Sequence, residues 1–465
     1  MTAKAYVAIG SNLGDRIANV QDALYRMKCI PGIARIVSTG YLYESDPMYV
    51  EDQPAFMNTC CEIETSLSPQ DLVVALQAIE QAMGRERVTK NGPRCIDLDV
   101  VFYGPECVIN EPGLSIPHPR FSEREFVLAP LCDMCPSLID PLTGETIESL
   151  RRRLNAYSTC HRIFPACCDR TLFRWGSRTF IMGILNVTPD SFSDGGKYNQ
   201  SIEIAVERAV ELVATGADIV DIGGESTRPR AEILNEAEEQ ARVIDVIRAV
   251  RTRFPNLPIS VDTYRSSTAR LAIEAGASIV NDVSGGLLDK DMLTTVSQLA
   301  VPYICMHAGR VGSHPPLMYG ENSGLLEDAK YSQNLKCALD RVHAQLASRV
   351  DACWSAGIAR WNLVIDPGFG FGKSADVNFA LVRDFSDVFR NSLSQLPKMV
   401  GASRKRFVRD LVAGLEWSGS EQQAMLGTVA VSVAIQDKAD IHRVHDVSEL
   451  KYALCVSDRV YRNCA

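Results

Sequence analysis

Short apolar runs in the second part of the chain each end in polar or charged residues. The residues that follow these runs are Asn186, Asp262, Asn281, Asp366, Lys405, Arg443 and His445. Asp and Asn are common helix caps, and capping of the next helix explains one or two such endings. It does not explain Lys405, Arg443 and His445, because a helix N-terminus disfavours cations. The whole set predicts an active site assembled from several strand ends.

A second candidate site lies within the first hundred residues. Asp97 and Asp99 fall two residues apart in a strand-like run, so their side chains are expected on one face. Two close carboxylates repel unless a cation lies between them, and Mg2+ commonly takes one or two carboxylates plus phosphate oxygens. Arg85, Arg87 and Arg94 precede the pair and suit phosphate binding. This favours a nucleoside triphosphate with Mg2+, although an exposed strand edge with basic neighbours remains open from these residues alone.

The strand ends of the second part belong to a repeating pattern of strand and helix. The strand candidates are Ile181–Asn186, Ala217–Ile222, Pro258–Val261, Ser278–Val280, Val301–Cys305, Asn362–Ile365, Lys398–Gly401 and Asp440–Val444. Each is followed by a plausible helix, and eight such units are typical of an α/β (β/α)8 TIM barrel. The polar strand ends would then share the carboxyl-terminal rim, where barrel active sites are built.

The first part has a different pattern, with alternating strands and two helices. The strand candidates are Ala5–Ile9, Ile33–Tyr43, Phe56–Thr65 and Ile96–Phe102. Asp15 suits the N-cap of one helix, and Ser68 followed by Pro69 suits the start of the other. Two helices against a mostly antiparallel sheet predict an α+β domain of ferredoxin-like type.

The motifs of the second part resemble dihydropteroate synthase over about residues 178 to 460. They are GILNVTPDSFSDGG, GGESTRP, SVDT, IVND, IDPGFGFGK, GASRK and RVHDV, in this order. The resemblance implies that p-aminobenzoate displaces diphosphate from a pterin methylene. It also implies that Asn186 contacts magnesium, that Arg443 and His445 hold the diphosphate, and that Lys405 touches both substrates.

The same resemblance assigns the remaining residues of that site. Asp262, Asn281 and Asp366 correspond to the residues that hold the pterin edge, and Met306 and Phe371 would line the ring pocket. The residues expected at the p-aminobenzoate mouth are Phe192, Thr227, Arg228, Pro229 and Ser403. Arg406 stands where many bacterial members have a second Ser, which leaves affinity for p-aminobenzoate and sulfonamides open.

The first part resembles 6-hydroxymethyl-7,8-dihydropterin pyrophosphokinase over about residues 4 to 155. The motifs are AIGSNLGDR, DQPAFMN, GPRCIDLDVVFYG, IPHPRF and FVLAPL. The resemblance implies ATP as co-substrate and assigns Asp97 and Asp99 to Mg2+. The residues that correspond to nucleotide and phosphate contacts are Glu80, Arg85, Arg87, Arg94, His118 and Arg124. Asn58 and Phe126 would contact the pterin, and Asn91 replaces a Trp of many bacterial members, which leaves loop closure over ATP open.

Length and composition agree with two enzymatic domains. The 465 residues predict a pyrophosphokinase domain at 1–155, a linker at 156–177 and a synthase domain at 178–465. The net charge of −9, with both signs interspersed, argues against nucleic acid as a partner. No apolar run is long enough for a membrane span. The first strand begins almost at once, so we expect no leader and a cytoplasmic protein.

Together the two resemblances predict a bifunctional enzyme of folate biosynthesis, since the product of the first step is the substrate of the second. They also imply small-molecule substrates, sulfonamides as inhibitors, and a possible homodimer through the barrel. Two alternatives remain at this stage, a pterin-dependent methyltransferase barrel and a non-catalytic pterin-binding protein. The P-loop-like stretch 367–374 is expected to approach a flat ring instead of phosphate, His314 is expected to be solvated, and Arg151–Arg153 are expected to form a solvated helix end.

Overall fold

A computed structural model gives the structure of the protein, and it describes residues 2–85, 92–104, 107–154, 160–187, 198–228, 231–327, 329–412 and 420–462. The chain forms two compact units. The first comprises Met1–Trp175 with Ala359–Trp361, and the second comprises Gly176–Ile358 with Asn362–Ala465. Four residues singled out in the sequence, Arg87, Asn91, Phe192 and Pro229, lie outside the described residues.

The first unit is built around one antiparallel sheet. Its elements are β1 Ala3–Ser11, α1 Arg16–Lys28, β2 Ile33–Thr39, β3 Leu42–Ser45, β4 Phe56–Thr65, α2 Pro69–Ala82, β5 Asp97–Tyr103, β6 Ile109–Glu111, β7 Leu114–Ile116, α3 Glu125–Met134, α4 Ile147–Leu154, β8 Cys160–Phe164, β9 Ala166–Asp169 and β10 Phe173–Arg174. The strands pair in the order β10-β8-β3-β4-β1-β5, and β2 also pairs with β4. With α1 and α2 as crossovers, β1 at the centre gives the predicted ferredoxin-like arrangement.

The pairing register of the first sheet brings its polar residues into one row. Gly10 on β1 pairs with Asp97 on β5 and with Asn58 on β4. Helices α1 and α2 are fixed by the predicted caps, since Asp15 accepts from the amide of Ala18 and Ser68 from the amide of Asp71. The acids and the amide therefore meet at one end of the sheet.

The segment 156–177 differs from the predicted linker. Strand β8 within it pairs with β3, and β10 pairs with β8, so both extend the sheet of the first unit. Ile163, Phe164 and Phe173 are buried there, and Asp169 binds Arg16 of α1 at 2.7 Å. The physical reason is twofold. Pairing with β8 gives the backbone groups at the edge of β3 hydrogen-bond partners, and it buries these apolar side chains.

The basic end of α4 is only partly solvated. Arg152 and Arg153 are exposed. Arg152 pairs with Glu148 of the same helix, and Arg153 pairs with Glu145 just before the helix. Arg151 is half-buried, and nearby acidic and phenolic groups raise its pKa against the effect of burial. The expectation of a solvated helix end therefore applies to two of the three arginines.

The second unit is an eight-stranded parallel barrel with helices. Its elements are β11 Phe180–Asn186, α5 Tyr198–Thr215, β12 Ile219–Gly223, α6 Glu236–Arg253, β13 Ile259–Asp262, α7 Ser266–Glu274, β14 Ile279–Asp282, α8 Met292–Leu299, β15 Tyr303–Met306, β16 Met318–Tyr319, β17 Asn322–Ser323, α9 Ala329–Gln333, α10 Leu335–Ser355, β18 Leu363–Asp366, α11 Ala375–Arg383, α12 Phe385–Val388, β19 Met399–Val400, α13 Arg406–Val412, α14 Ser420–Ile435, β20 Ile441–Val444 and α15 Val447–Tyr461. The order β18-β15-β14-β13-β12-β11-β20-β19 is completed by a bridge between Ile365 and Lys398, which nearly closes the barrel. This confirms the predicted TIM-like fold.

The parallel register aligns the polar strand ends on one rim. Gly223 of β12 pairs with Asp262 of β13, which pairs in turn with Asn281 of β14. Met306 of β15 pairs with Asp366 of β18. The strands are almost entirely buried. Polar side chains that could contact a ligand are therefore found at the carboxyl-terminal ends of the strands. Among the helices that the structure describes, none has the length and apolar character needed to cross a membrane.

Candidate functional site

A pocket opens in the first unit at the ends of β1, β4 and β5. Six residues expected at a pyrophosphokinase site line it: Asn58, Arg94, Asp97, Asp99, Arg124 and Phe126. Glu80, Arg85 and His118 lie beside it and are linked to the same acids. The structure thus brings together the described members of the predicted set.

Asp97 is held by two arginines. Its carboxylate lies 2.7 Å from Nη1 of Arg85 and 2.8 Å from Nη2 of Arg94. Arg85 also pairs with Glu80, whose Oε1 accepts the amide of Leu98 at 2.8 Å. Burial raises the pKa of Glu80, with these donors opposing the shift. The arrangement presents guanidinium groups next to a carboxylate, which suits a phosphate with a bound cation.

Asp99 shows how the two acids affect each other. Burial and then the nearby charge of Asp97 raise the pKa of Asp99 to about 6. His118 Nε2 lies 4.0 Å from its Oδ2, and burial followed by the charge of Arg124 lowers the pKa of His118 to about 4. The negative charge of each acid makes ionisation of the other less favourable. A divalent cation fits this pair because it would stabilise both carboxylates in their ionised form. No group of three or more His, Cys, Asp or Glu in the described ranges is arranged to hold a metal, so phosphate or water would supply the other ligands.

Two aromatic rings line the same pocket. Arg94 lies over Phe56, 5.1 Å from the ring centre, and Arg124 lies over Phe126 at 5.7 Å. Asn58 donates to Ser45 Oγ at 2.9 Å and is buried. Rings and a buried amide suit a flat heterocycle with polar edges.

Sequence reasoning missed two supporting residues of this pocket. Asn12 accepts the amide of Arg94 at 2.8 Å and so holds the loop that carries this arginine. Tyr49 lines the pocket, and Arg120 lies 4.9 Å from its ring centre. Asn12 belongs to the motif AIGSNLGDR and could have been noticed there, whereas nothing in the local sequence marks Tyr49.

The second site is centred on Arg443 inside the barrel. Its Nε donates to Asp221 Oδ2 at 2.7 Å and its Nη2 to Asp262 Oδ2 at 2.6 Å. Asp221 is completely buried and was not among the predicted site residues. It lies inside β12 within an apolar run, and its charged side chain at such a position is the signal that could have identified it.

Asp262 and Asn281 present acceptors to the same interior. Burial raises the pKa of Asp262 to about 7, while Arg443 opposes the shift. Asn281 donates to Asp221 Oδ2 at 3.2 Å. Asn281 Oδ1 and Asp221 Oδ1 are buried and have no hydrogen-bond partner in the part of the chain that the structure describes. Unfilled acceptors of this kind suit a ligand that carries several N–H donors.

Asp366 begins a glycine-rich loop beside the candidate site of the barrel. Its Oδ1 accepts the amide of Gly368 at 2.6 Å, and burial raises its pKa to about 6. Gly368 has φ +65°, and a Cβ there would lie 1.9 Å from the carbonyl oxygen of His307. Only glycine permits this close approach of the two backbones.

Lys373 explains the P-loop-like ending of this stretch. The side chain is buried, and its ammonium donates to the carbonyl oxygens of Gly368, His307 and Phe371 at 2.8, 3.1 and 3.2 Å. Ser374 caps α11 by accepting the amide of Val377. Burial lowers the pKa of Lys373 to about 7. The lysine therefore holds the loop backbone and points away from a phosphate role.

Lys405 lies next to Phe371 at the mouth of the barrel. Its ammonium is 4.0 Å from the ring centre. Burial and then the charge of Arg443 lower the pKa of Lys405 to about 8. Met306 is buried and packs in one apolar cluster with Phe371 at its margin. That these two residues line a ring pocket stays a prediction.

The remaining predicted residues lie on the same rim. His445 Nδ1 is 3.0 Å from Ser403 Oγ, and burial followed by the charge of Arg443 lowers the pKa of His445 to about 3. Asn186 is exposed at the end of β11. In the loop after β12, Thr227 is half-buried and Arg228 is exposed. Arg406 is exposed and pairs with Asp410 at 3.0 Å on α13.

His314 corrects an expectation. Its Nε2 lies 3.0 Å from the hydroxyl of Tyr264, against whose ring it packs edge-on, and burial lowers its pKa. It is therefore not simply solvated. The contact is long-range, and no local pattern in the loop indicates it.

Comparisons with known protein families match each unit to a different family model. The model of 7,8-dihydro-6-hydroxymethylpterin-pyrophosphokinase (HPPK) matches residues 6–136, and the model of pterin binding enzymes matches residues 182–445. The folic acid synthesis protein fol1 of Pneumocystis carinii is 40% identical over 98% of this chain. The chain spans 60% of the length of that relative.

A plant protein and a bacterial structure extend the comparison. The mitochondrial folate synthesis bifunctional protein of Pisum sativum is 36% identical, over 98% of this chain and 89% of its own length. The structure of dihydropteroate synthase from Xanthomonas albilineans with 4-aminobenzoic acid is 36% identical. It covers 64% of this chain and 98% of its own, with a TM-score of 0.53.

Lys373→Met tests the loop that Lys373 holds. The variant removes the ammonium shared by three carbonyl oxygens. Those of Gly368 and Phe371 keep the amides of Phe371 and Gly309 as donors, so the carbonyl of His307 loses most. An unmade buried hydrogen bond costs about 1–3 kcal/mol. We expect the free energy of unfolding, measured by denaturant titration, to fall by about 1–3 kcal/mol. Lys336→Met, at an exposed position of α10, is the control and should unfold as the wild type does. Unchanged stability of Lys373→Met would contradict this role.

Proposed function

Because this chain belongs to the family of bifunctional folate-synthesis proteins, with an HPPK domain followed by a pterin-binding domain, we propose that it catalyses two consecutive reactions. The first unit transfers diphosphate from ATP to 6-hydroxymethyl-7,8-dihydropterin and releases AMP. The second condenses the diphosphate ester with p-aminobenzoate to give 7,8-dihydropteroate and diphosphate. The proposal rests on one observation above all: in each unit, guanidinium and carboxylate groups of the candidate site are paired with each other.

In the first reaction, Asp97 and Asp99 would hold Mg2+, which would neutralise charge on the phosphates. Arg85 and Arg94, which neutralise Asp97 in this structure, are then available to the phosphate oxygens. Arg124 and His118 lie near Asp99, and Arg87, which lies outside the described residues, is proposed to join them. Charge stabilisation by preorganised donors of this kind is commonly the largest catalytic effect.

The pterin of the first reaction lies in the pocket with Asn58 and Phe126. Asn58 is fixed by Ser45 and offers its remaining amide atoms to the ring edge. Phe126 stacks on the ring, and Phe56 faces the pocket from β4. The hydroxymethyl group is thereby directed toward the phosphates at Asp97 and Asp99.

In the second reaction, the aminopyrimidine edge of the pterin binds Asp262, Asn281 and Asp366. Carboxylates suit this edge because each can accept two N–H groups. When Asp262 accepts from the pterin, the guanidinium of Arg443 turns to the diphosphate, with His445 and Asn186 beside it. The anionic leaving group is stabilised there, and Lys405 lies between the ring pocket and the mouth.

We infer that Thr227, Arg228 and Ser403 form the p-aminobenzoate mouth, and that Phe192 and Pro229, which lie outside the described residues, contribute to it. The Xanthomonas albilineans enzyme, which carries 4-aminobenzoic acid in its structure, supports this substrate class. Sulfonamides, which mimic p-aminobenzoate, are proposed as inhibitors. Arg406 is exposed and engaged with Asp410, so it does not supply the contact of the Ser that it replaces.

We assign the kinase activity to residues 1–175, which includes the strands after α4, and the synthase activity to the rest of the chain. Cytoplasmic residence stays a prediction, because the Pisum sativum relative is a mitochondrial protein. A methyltransferase barrel is less well supported, since it needs neither the Arg443 and His445 pair nor the first unit.

One assay tests the function. Purified protein receives 6-hydroxymethyl-7,8-dihydropterin, ATP, Mg2+ and p-aminobenzoate, and AMP and dihydropteroate are followed together. We expect both products from the wild type. Asp97→Asn should lose AMP formation but should still convert supplied pterin diphosphate ester, and Lys405→Met should show the reverse. Neither product from wild-type protein that binds pterin would overturn the proposal.

The buried groups of the barrel predict a bell-shaped pH profile for the synthase. Asp366 and Asp262 have pKa values raised to about 6 and about 7, so acid protonates them and removes acceptors that the pterin needs. Lys405 has its pKa lowered to about 8, so base removes its charge. We expect kcat/KM to be highest between about pH 7 and 8. The kinase reaction, followed in the same buffers, should lack the alkaline decline, and a flat synthase profile from pH 5 to 9 would contradict the assignment.

A homodimer through the barrel is also part of the proposal. Helix α15 exposes Tyr452, Val456 and Val460 on one face, with 76%, 66% and 61% of their surface accessible. Leu426 on the neighbouring α14 is exposed as well. Monomers rarely leave an apolar stripe of this kind in water, and a second copy of the same face would cover it.

Val456→Glu should separate the dimer, because it places a charge in the middle of this stripe. We expect light scattering to give the mass of two chains for the wild type and of one chain for the variant. Val74→Glu, at an equally exposed valine of α2 in the first unit, is the control and should leave the mass unchanged. A monomeric wild type would refute the dimer.

A further inference from the structure

A buried carboxylate stands at the start of the loop that carries Thr227 and Arg228. The side chain of Glu225 is 8% exposed. Its Oε1 accepts from the hydroxyl of Tyr264 at 2.9 Å, and its Oε2 accepts from Nη1 of Arg265 at 2.9 Å. Burying a carboxylate costs free energy unless hydrogen-bond donors pair with it. The positions of Tyr264 and Arg265 therefore fix the position of Glu225 and of the loop that carries it.

The hydroxyl of Tyr264 joins three side chains. It donates to Glu225, accepts from Nη2 of Arg265 at 2.8 Å and lies 3.0 Å from Nε2 of His314. A hydroxyl has one hydrogen to donate and two lone pairs to accept with. Since Glu225 takes the hydrogen, His314 donates from Nε2. The hydroxyl is thus fully used, and it links the loop after β12 to the loop after β15.

The donors themselves are fixed to rigid elements. Arg265 occupies the N-cap position of α7 and also binds Glu239 of α6 at 2.9 Å. Glu239 is 1% exposed and accepts from Thr268 of α7 as well. One guanidinium therefore serves two buried carboxylates, one in the loop after β12 and one on α6.

This network adjoins the proposed synthase site. Tyr264 follows Asp262 by two residues, and its ring belongs to the apolar cluster that includes Met306 and has Phe371 at its margin. Ser313, next to His314, donates to the carbonyl of Ala231 at 2.6 Å, beyond the same β12 loop. The network therefore connects the wall of the ring pocket with the residues proposed for p-aminobenzoate.

We propose that Tyr264 is a positioning residue for p-aminobenzoate, acting through Glu225 to hold Thr227 and Arg228 at the mouth. The inference rests on the proposed synthase function of the second unit. Tyr264 does not touch either substrate in this scheme. Its hydroxyl decides where the β12 loop stands, and so it affects the second substrate and leaves the pterin contacts of Asp262 and Asn281 in place.

The test compares Tyr264→Phe with Tyr319→Phe. Both tyrosines belong to the same cluster, but the hydroxyl of Tyr319 contacts the backbone of Ala308 and not Glu225. We expect Tyr264→Phe to raise KM for p-aminobenzoate by about three- to tenfold, which corresponds to the net contribution of one ordinary hydrogen bond. KM for the pterin diphosphate ester should stay within about twofold of the wild type. Tyr319→Phe should show no rise that is selective for p-aminobenzoate.

A second pair of variants guards against a general loss of folding. His314→Gln keeps an N–H donor for the hydroxyl and should resemble the wild type, whereas His314→Leu should raise KM for p-aminobenzoate in the same direction as Tyr264→Phe. Equal changes in both KM values, or none in Tyr264→Phe, would overturn the proposal. Absence of dihydropteroate from the wild type would instead overturn the function on which it rests.

Discussion

The second unit depends on the pairing of one guanidinium with two buried carboxylates. Arg443 comes from β20, Asp221 from β12 and Asp262 from β13, so the contact joins strands on both sides of β11. Breaking a buried pair of this kind costs about 3–5 kcal/mol, because the charge left behind has no water to solvate it. The barrel therefore keeps three charged groups facing one another across its interior, and a ligand that enters must replace some of these contacts with its own.

The first unit solves a similar problem with the charges reversed. There one carboxylate, that of Asp97, is shared by Arg85 and Arg94. In the barrel one arginine is shared by two acids. In both places the groups that would bind substrate already bind each other, so the sites are assembled before a ligand arrives. Preorganisation of this kind limits the reorganisation that the reaction must drive.

The sequence was informative wherever the determining pattern was local. The strand ends of the barrel and the pair Asp97 and Asp99 follow from spacing within a few residues, and the structure brings the described members of both sets together. Contacts between distant segments could not be predicted. Asp221 looked like one residue of an apolar strand, His314 like part of a polar loop, and the strands at 160–174 like a linker. Asp221 is positioned by Arg443, which lies more than a hundred residues away in the chain. The strands at 160–174 are positioned by the open edge of β3. His314 is positioned by Tyr264, which is 50 residues distant.

The glycine-rich loop after β18 has a consequence for inhibitors. Gly368 touches the backbone of His307, and a Cβ at Gly372 would lie 2.7 Å from Gly309 Cα, so neither position accepts another side chain without moving main chain. Side chains at the mouth, such as the half-buried Thr227 and the exposed Arg228, face no such restriction. A compound whose contacts are confined to the backbone of 368–372 would therefore meet a surface that single substitutions can hardly alter, whereas one that relies on the mouth could be evaded by them. Resistance should arise first at the mouth for this geometric reason.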